Sequence, residues 1–155
     1  MDNSSEANSR KAVSVGREVC DKLGLKLEEV AITSTSVVFQ AAQVLATRNI
    51  QALWITGDNT ALQAFSAISK AAADNRLPMI INDPEFVEKG ALPAVGIGWY
   101  RSGFEAGTMA SKVLRGDHPG SIPMVNVVEK KIVLNAVARK LGIRFPKSLT
   151  AQAGL

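Results

Sequence analysis

The chain has 155 residues, 46% of them hydrophobic and 21% charged, and a formal net charge of +4. These proportions fit one ordinary globular domain able to bury a substantial core, and they exclude a fibrous or wholly disordered chain; no apolar run reaches the length of a membrane-spanning helix. Basic residues are scattered in runs no longer than two, such as Lys130-Lys131 with Glu129 beside it, so the concentrated charge of a nucleic-acid surface is not present.

In chain order, Asn3 and Glu6 have capping-box spacing. A helix from about Ser4 to Leu23 follows, with Ala12, Val15, Val19 and Leu23 on its apolar face and Gly24 as its stop. LEEVAIT (27–33) predicts a strand, and TSVVFQAAQVLAT (35–47) a helix introduced by Ser34 or Thr35. IQALWI (50–55) is the next strand. TGDNT (56–60) turns the corner into a helix over Thr60 to Asn75. LPMIIN (77–82) supplies another strand, closed by Asp83-Pro84, and PEFVEKG (84–90) a short helix.

AVGIGW (94–99) is a further strand, and Gly96 and Gly98 permit close backbone approach there. YRSGFEAGTMASKVLRG (100–116) reads as a helix with Phe104, Met109 and Val113 available for packing. DHPGSIP (117–123) is turn-like, MVNVV (124–128) strand-like, and 132–142 a helix with Ile132, Val133, Val137 and Leu141 on one side; 144–155 reads as a mostly extended tail. The alternation of strand and helix predicts an open, mainly parallel α/β sheet with helices on both faces. Such sheets usually begin with a strand, whereas this chain begins with a helix, and an opening strand is expected to be missing.

The catalytic inventory is small. His118 is the sole histidine and sits in a turn, where local spacing supplies it with no nucleophile. Neither a His/Cys cluster nor calcium-loop spacing suggests a metal, and the glycines form neither GxGxxG nor GxxxxGK[ST], so no cofactor is expected. Cys20 is the only cysteine and reads as a packed thiol.

What recurs instead is a polar corner at the start of successive helices: SSEANS (4–9), TST (33–35), TGDNT (56–60) and NDPE (82–85). The alternating topology gathers these corners at the carboxyl edge of the sheet, where ligands bind in open α/β folds. Each corner also reads as a plain N-cap. Asp58 can meet a ligand ammonium, while Asn59 offers a donor and an acceptor. Asp83 before Pro84 is equally suited to a cap or a contact, and Trp99 to an aromatic wall or to the core.

In that order the motifs resemble those of the substrate-binding proteins of bacterial ABC importers, in the branch that includes tryptophan and tyrosine binders. SSEANS resembles PSEANS, TSTSVV resembles TSTSEV, and WITGDNTAL resembles a strand followed by TDNT. VEKGALPAVGIGWYRSGFEAG resembles VEKGALAALGIDYYELGRQTG, and NAVARKLGIRFPKSL resembles the family's NLKTAKALGI-x-IP ending. Gly98 stands where the family shows aspartate and Trp99 where it shows tyrosine, so an ammonium partner is lost and a bulkier apolar surface gained.

The resemblance implies one lobe of a type I periplasmic binding protein fold, matching the C-terminal half only, with 1–97 and 124–155 second-lobe-like and 98–123 a crossing with an orphaned first-lobe helix. It implies non-catalytic binding of an amino-acid-like or small aromatic solute for a membrane permease. The implied ligand-binding residues are Ser5, Glu6, Asn8, Ser9, Thr35, Thr56, Asp58, Asn59, Asp83 and Trp99. A full exported protein of this kind acts in the periplasm or at the extracellular face. MDNSSEANSRK contains no signal-type segment, so the chain as written would stay in the cytoplasm. The rival reading is an interaction module that forms a homodimer over the Tyr100 to Leu114 helix.

Overall fold

The computed structural model describes residues 1–132 and 136–152. Four strands form one sheet in the order β1 (Leu53–Ile55), β2 (Met79–Ile81), β3 (Pro93–Ile97) and β4 (Val128–Ile132). The first three are parallel and β4 runs antiparallel to β3, pairing Ile97 with Val128 and Pro93 with Ile132. This is the open, mainly parallel α/β arrangement expected from the alternating pattern.

The core lies on one face of the sheet. Period-two alternation in the strands sends Leu53, Ile55, Met79, Ile81 and Ala94 into it. They meet α2 (Val38–Ala46) and α4 (Phe65–Asp74), which bury Val38, Ala41, Ala42 and Leu45, and Phe65, Ile68, Ala71 and Ala72, each set at helical spacing. Small alanines on both helices let them lie close together, and Phe65 closes the end of the cluster edge-on against Phe86, with ring centroids 4.7 Å apart.

On the opposite face lies α1 (Ala7–Leu23), and here the sequence expectation is corrected. Its buried positions are Ser9, Val13 and Gly16, while Val15, Val19 and Leu23 of the expected stripe are exposed. The reason is distance: Gly16 sits on the ring of Trp54, where an added Cβ would collide with the indole. A helix that rests on a tryptophan face turns its smallest residues inward, and the bulkier valines are displaced to the flank.

Other expectations change in detail. Segment 27–33 forms no named strand; its ladder contact is a single parallel bridge from Ala31 to Asp2. The helix expected from Thr60 to Asn75 divides at Ala64 (φ −103°, ψ 23°) into α3 (Asn59–Gln63) and α4. Residues 84–89 form a 3-10 helix. The strand expected over 124–128 begins instead at Val128, because its register is set by β3, which ends at Ile97 before the turn into α5 (Trp99–Leu114). Strand β4 then occupies Ile132, and the following helix, α6, is Ala136–Lys140; Val133, expected on its apolar side, lies outside the described residues. The tail is not extended: Pro146 starts α7 (Lys147–Gln152), its carbonyl accepting the Leu149 amide at 2.9 Å.

Gly96 in β3 is required by close approach, since a Cβ there would overlap the Asn82 carbonyl, which is backbone and cannot swing aside. Gly96→Ala is therefore expected to separate β3 from the 82–84 corner and to lower stability by about 1–3 kcal/mol. Urea denaturation compared with Gly103→Ala, whose Cβ meets open space, checks this.

Candidate functional site

The carboxyl ends of β1, β2 and β3 each lead into a polar corner: Thr56–Thr60, Asn82–Glu85 and Gly98–Trp99. The start of α1 joins the first of them. Asp58 is the N-cap of α3; its Oδ1 accepts the Ala61 amide at 2.9 Å and its Oδ2 accepts the Asn3 amide at 2.6 Å. Glu6 is the N-cap residue of α1, yet its carboxylate caps the other helix: Oε2 accepts from the Asn59 amide and side chain, at 2.9 and 2.8 Å, and Oε1 from the Thr60 amide and hydroxyl, at 3.2 and 2.9 Å. Asn8 Nδ2 adds a bond to the Gly57 carbonyl at 2.7 Å.

This arrangement corrects the capping box. Asn3 and Glu6 do not bond reciprocally through side chains; Asn3 Oδ1 takes the Ser5 amide, and Asn3 Nδ2 donates to the Thr60 hydroxyl at 3.0 Å. The spacing that suggested a local cap instead serves a cap between two segments more than fifty residues apart in sequence. Sequence spacing could not reveal it, because the donors lie on another element.

The remaining residues proposed from sequence divide by exposure. Asp58 is 0% exposed with both oxygens engaged, and Ser9 and Thr56 are equally buried with hydroxyls that have no hydrogen-bond partner. Ser5, Asn8, Thr35 and Asn59 are exposed. Asp83 caps the 3-10 helix through the Glu85 amide at 3.0 Å, and its other oxygen accepts from Trp99 Nε1 at 3.3 Å. Asp83 and Trp99 thus form one unit, and Trp99 is 55% exposed, an aromatic face on the rim and not a core residue. Thr35 stands apart at a 3-10 turn whose local bond joins Ser34 and Ser36.

Asn82, named with the NDPE corner but not among the ten residues, also lies on the rim. Its Oδ1 accepts from Trp54 Nε1 at 3.0 Å, tying the corner after β2 to the tryptophan on β1. A half-buried indole N–H usually finds an acceptor, so the pairing of Trp54 with a polar residue one strand away was in principle foreseeable. His118 is exposed, and its Nδ1 accepts the Gly120 amide in its own turn. Two cavities flank the rim without being formed by it: one of about 670 Å³ between α4 and Phe86, and one of about 530 Å³ beside β1 that takes in Thr56 alone of the ten residues.

The Glu6 carboxyl is held below its ordinary value, first by the Asn59 backbone N–H; burial opposes this, and the Thr60 hydroxyl and amide and the Asn59 side chain add to the lowering. A lowered folded value means that its contribution to stability is present above the unfolded carboxylate value and is lost as pH falls through the folded one. Glu6→Gln is expected to reduce stability near neutrality and to converge with wild type as pH falls below the ordinary carboxylate range; thermal melts from neutral to acid pH check it. Asp58→Ala strands two backbone N–H groups beneath the rim and is expected to cost roughly 2–3 kcal/mol. Denaturant titration beside Asn59→Ala, which sits at the surface and is expected to cost far less, measures the difference.

Comparison with known proteins adds the family. The model of the ABC transporter substrate binding protein family matches residues 1–155. A tyrosine-binding protein of Clostridioides difficile is 32% identical over 133 residues, 86% of this chain and 38% of that protein. Among solved structures, an ABC domain from Streptococcus pneumonia in complex with L-Trp is 28% identical with a TM-score of 0.83, covering 99% of this chain and 52% of that one. A ligand-free, open substrate-binding protein with adhesive properties from Clostridium difficile is 31% identical with a TM-score of 0.73, covering 95% and 50%. The chain thus spans about half the length of these solved structures, and less of the curated relative. The expectation that the likeness is to a C-terminal half only is overturned, because the family model matches from the first residue to the last. Matched over its whole length, the chain belongs to the ABC transporter substrate binding protein family.

Proposed function

We propose that this chain serves a non-catalytic solute-binding role in an ABC importer, taking an amino-acid-like or small aromatic solute and passing it to a membrane permease on the extracytoplasmic side. The observation that carries the reading is the rim itself, where three strand ends place exposed polar groups beside a half-exposed tryptophan hydrogen-bonded to a carboxylate. Such a rim offers a flat face for an aromatic or aliphatic side chain and polar groups for an amino acid's charged ends. The similarity to a tyrosine-binding protein and to a domain in complex with L-Trp supports the same ligand class.

In this reading Ser5, Asn8, Thr35, Asn59, Asp83 and Trp99 face the solute. Glu6, Ser9, Thr56 and Asp58 act from beneath, Glu6 and Asp58 by holding the corners and the two buried hydroxyls by packing under them. Residues 98–123 are the crossing and a helix of first-lobe type, and 1–97 with 124–155 the second-lobe body. In support, α5 has no buried residue. Calorimetric titration with the twenty amino acids and small aromatic metabolites tests the reading. Heat is expected with an aromatic member, weakened about tenfold by Trp99→Ala. No heat and no melting shift with any compound overturns it.

A second reading has its own observation. Tyr100, Phe104 and Leu114 on α5 are 87%, 67% and 88% exposed, and Met124 is 93% exposed beyond it. Apolar surface of this extent favours contact with another protein, and a homodimer over α5 is the simplest form. Sedimentation should then show a dimer that Phe104→Ser with Val113→Ser dissociates while circular dichroism stays unchanged; a wild-type monomer at high concentration removes this reading.

A further inference from the structure

The outer side of α4 faces a groove. That helix turns Phe65, Ile68, Ala71 and Ala72 to the core, and at helical spacing its other face, Ser66, Ser69, Lys70 and Ala73, lines a cavity of about 670 Å³. The opposite wall is the 3-10 helix Pro84–Lys89, through Phe86 and Lys89. Small-molecule sites occupy roughly 300–1,000 Å³, and none of the ten residues expected to bind solute lines this one.

Its floor is apolar and anchored. Phe86 is half-buried, its ring set edge-on to the buried Phe65, and Leu62 of α3 adds a second half-buried apolar side chain. The Lys89 ammonium stands over the Phe86 ring, 4.4 Å from its centroid, so a positive charge is positioned at the floor by the ring itself.

The polar groups around this floor are mostly uncommitted. Among the described residues nothing hydrogen-bonds the side chains of Gln63, Ser66 and Ser69, although a helical serine can bond back to a carbonyl one turn before it, as Ser111 does to Thr108 in α5 at 2.9 Å. Lys70 Nζ meets Asp74 at 3.0 Å in an exposed i,i+4 pair, a weak contact that leaves its other hydrogens for a second acceptor. Among the described residues no aspartate or glutamate lines the groove: Asp74, Glu85 and Glu88 all lie outside its walls.

We propose that this groove is a second binding site, for a small organic acid whose carboxylate lies between Lys70 and Lys89 and whose planar apolar body rests on Phe86 and Leu62. Hydroxyls and an amide that have no internal partner then serve the carboxylate oxygens. The walls select against an amino acid, because a ligand ammonium meets two lysines there and no carboxylate. The inference is independent of the solute reading at the rim, where Asp83 stands beside Trp99.

The test is an NMR titration of the chain with 3-phenylpropionate and, separately, with 3-phenylpropylamine. The acid is expected to shift the amide signals of Gln63, Ser66, Ser69 and Lys89 saturably, and the amine to leave them in place. Lys70→Gln with Lys89→Gln is expected to raise the Kd for the acid by about tenfold or more, while Trp99→Ala leaves it unchanged. Ser66→Trp, at an exposed position on the wall, is expected to abolish the shifts by filling the groove, which tests the site without altering its charge. No saturable shift in this segment, equal affinity for the amine, or a Kd unchanged in the lysine variant overturns the proposal. So does a Kd that follows Trp99→Ala, which places the acid at the rim. An acetylated Glu-Phe-Glu-Phe-Glu peptide that shifts these signals where the acid does not also overturns it, since the groove then docks an acidic protein segment.

Discussion

The start of α1 and the start of α3 hold each other, and the rim of the sheet depends on that mutual hold. Asp58 takes one amide from its own helix and one from Asn3, while Glu6 closes the other amides of the same helix start from across the corner. Two carboxylates thereby satisfy backbone groups on two segments that only the fold brings together. Unpaired donors at a helix start are costly when buried, and here the cost is avoided by exchange between helices and not within either one. The corner after β1 is consequently rigid, and Asn59 and Asn8 project from a braced platform.

The two faces of the sheet are built on different rules. Beneath it, α2 and α4 pack alternating strand residues with alanine-rich stripes into a continuous apolar cluster. Above it, α1 rests on Trp54 through Gly16, and the indole nitrogen is satisfied sideways by Asn82. That tryptophan links the layers: it sets the height of α1 over the sheet and anchors the corner that leads to Asp83 and Trp99. On the same upper side Ile80 and Val95 remain partly exposed, and α5 buries nothing of its own. Among the described residues, exposed apolar side chains gather along this side and α5, which is the common ground of the two-lobe reading and the dimer reading.

Family membership and geometry bear on different questions. The match over the whole chain establishes the kind of protein. The rim carries an indole face, a carboxylate bonded to it and two exposed amides, and it is on these groups that the proposed solute reading rests. The replacement of the family's aspartate-tyrosine pair by Gly98-Trp99 is consistent with this: the carboxylate near the indole is Asp83, contributed by the neighbouring corner.

The alternation of strands and helices, the polar corner after each strand and the motif order of the family were legible in the sequence, because period, cap chemistry and turn residues act over a few positions. Strand ends fell where neighbouring strands pair and not where apolar runs stop, as β4 shows by following β3. The buried stripe of α1 was misread because helical periodicity identifies a face without saying how near the sheet it must come; the indole of Trp54 chose Ser9, Val13 and Gly16 over three larger residues. The roles of Glu6 and Asp58 were likewise open from sequence, where cap and ligand contact look alike. Tertiary structure makes Asp58 a cap, its carboxylate without exposed surface and with each oxygen on a backbone amide, and it leaves Trp99 and Asp83 together at the surface.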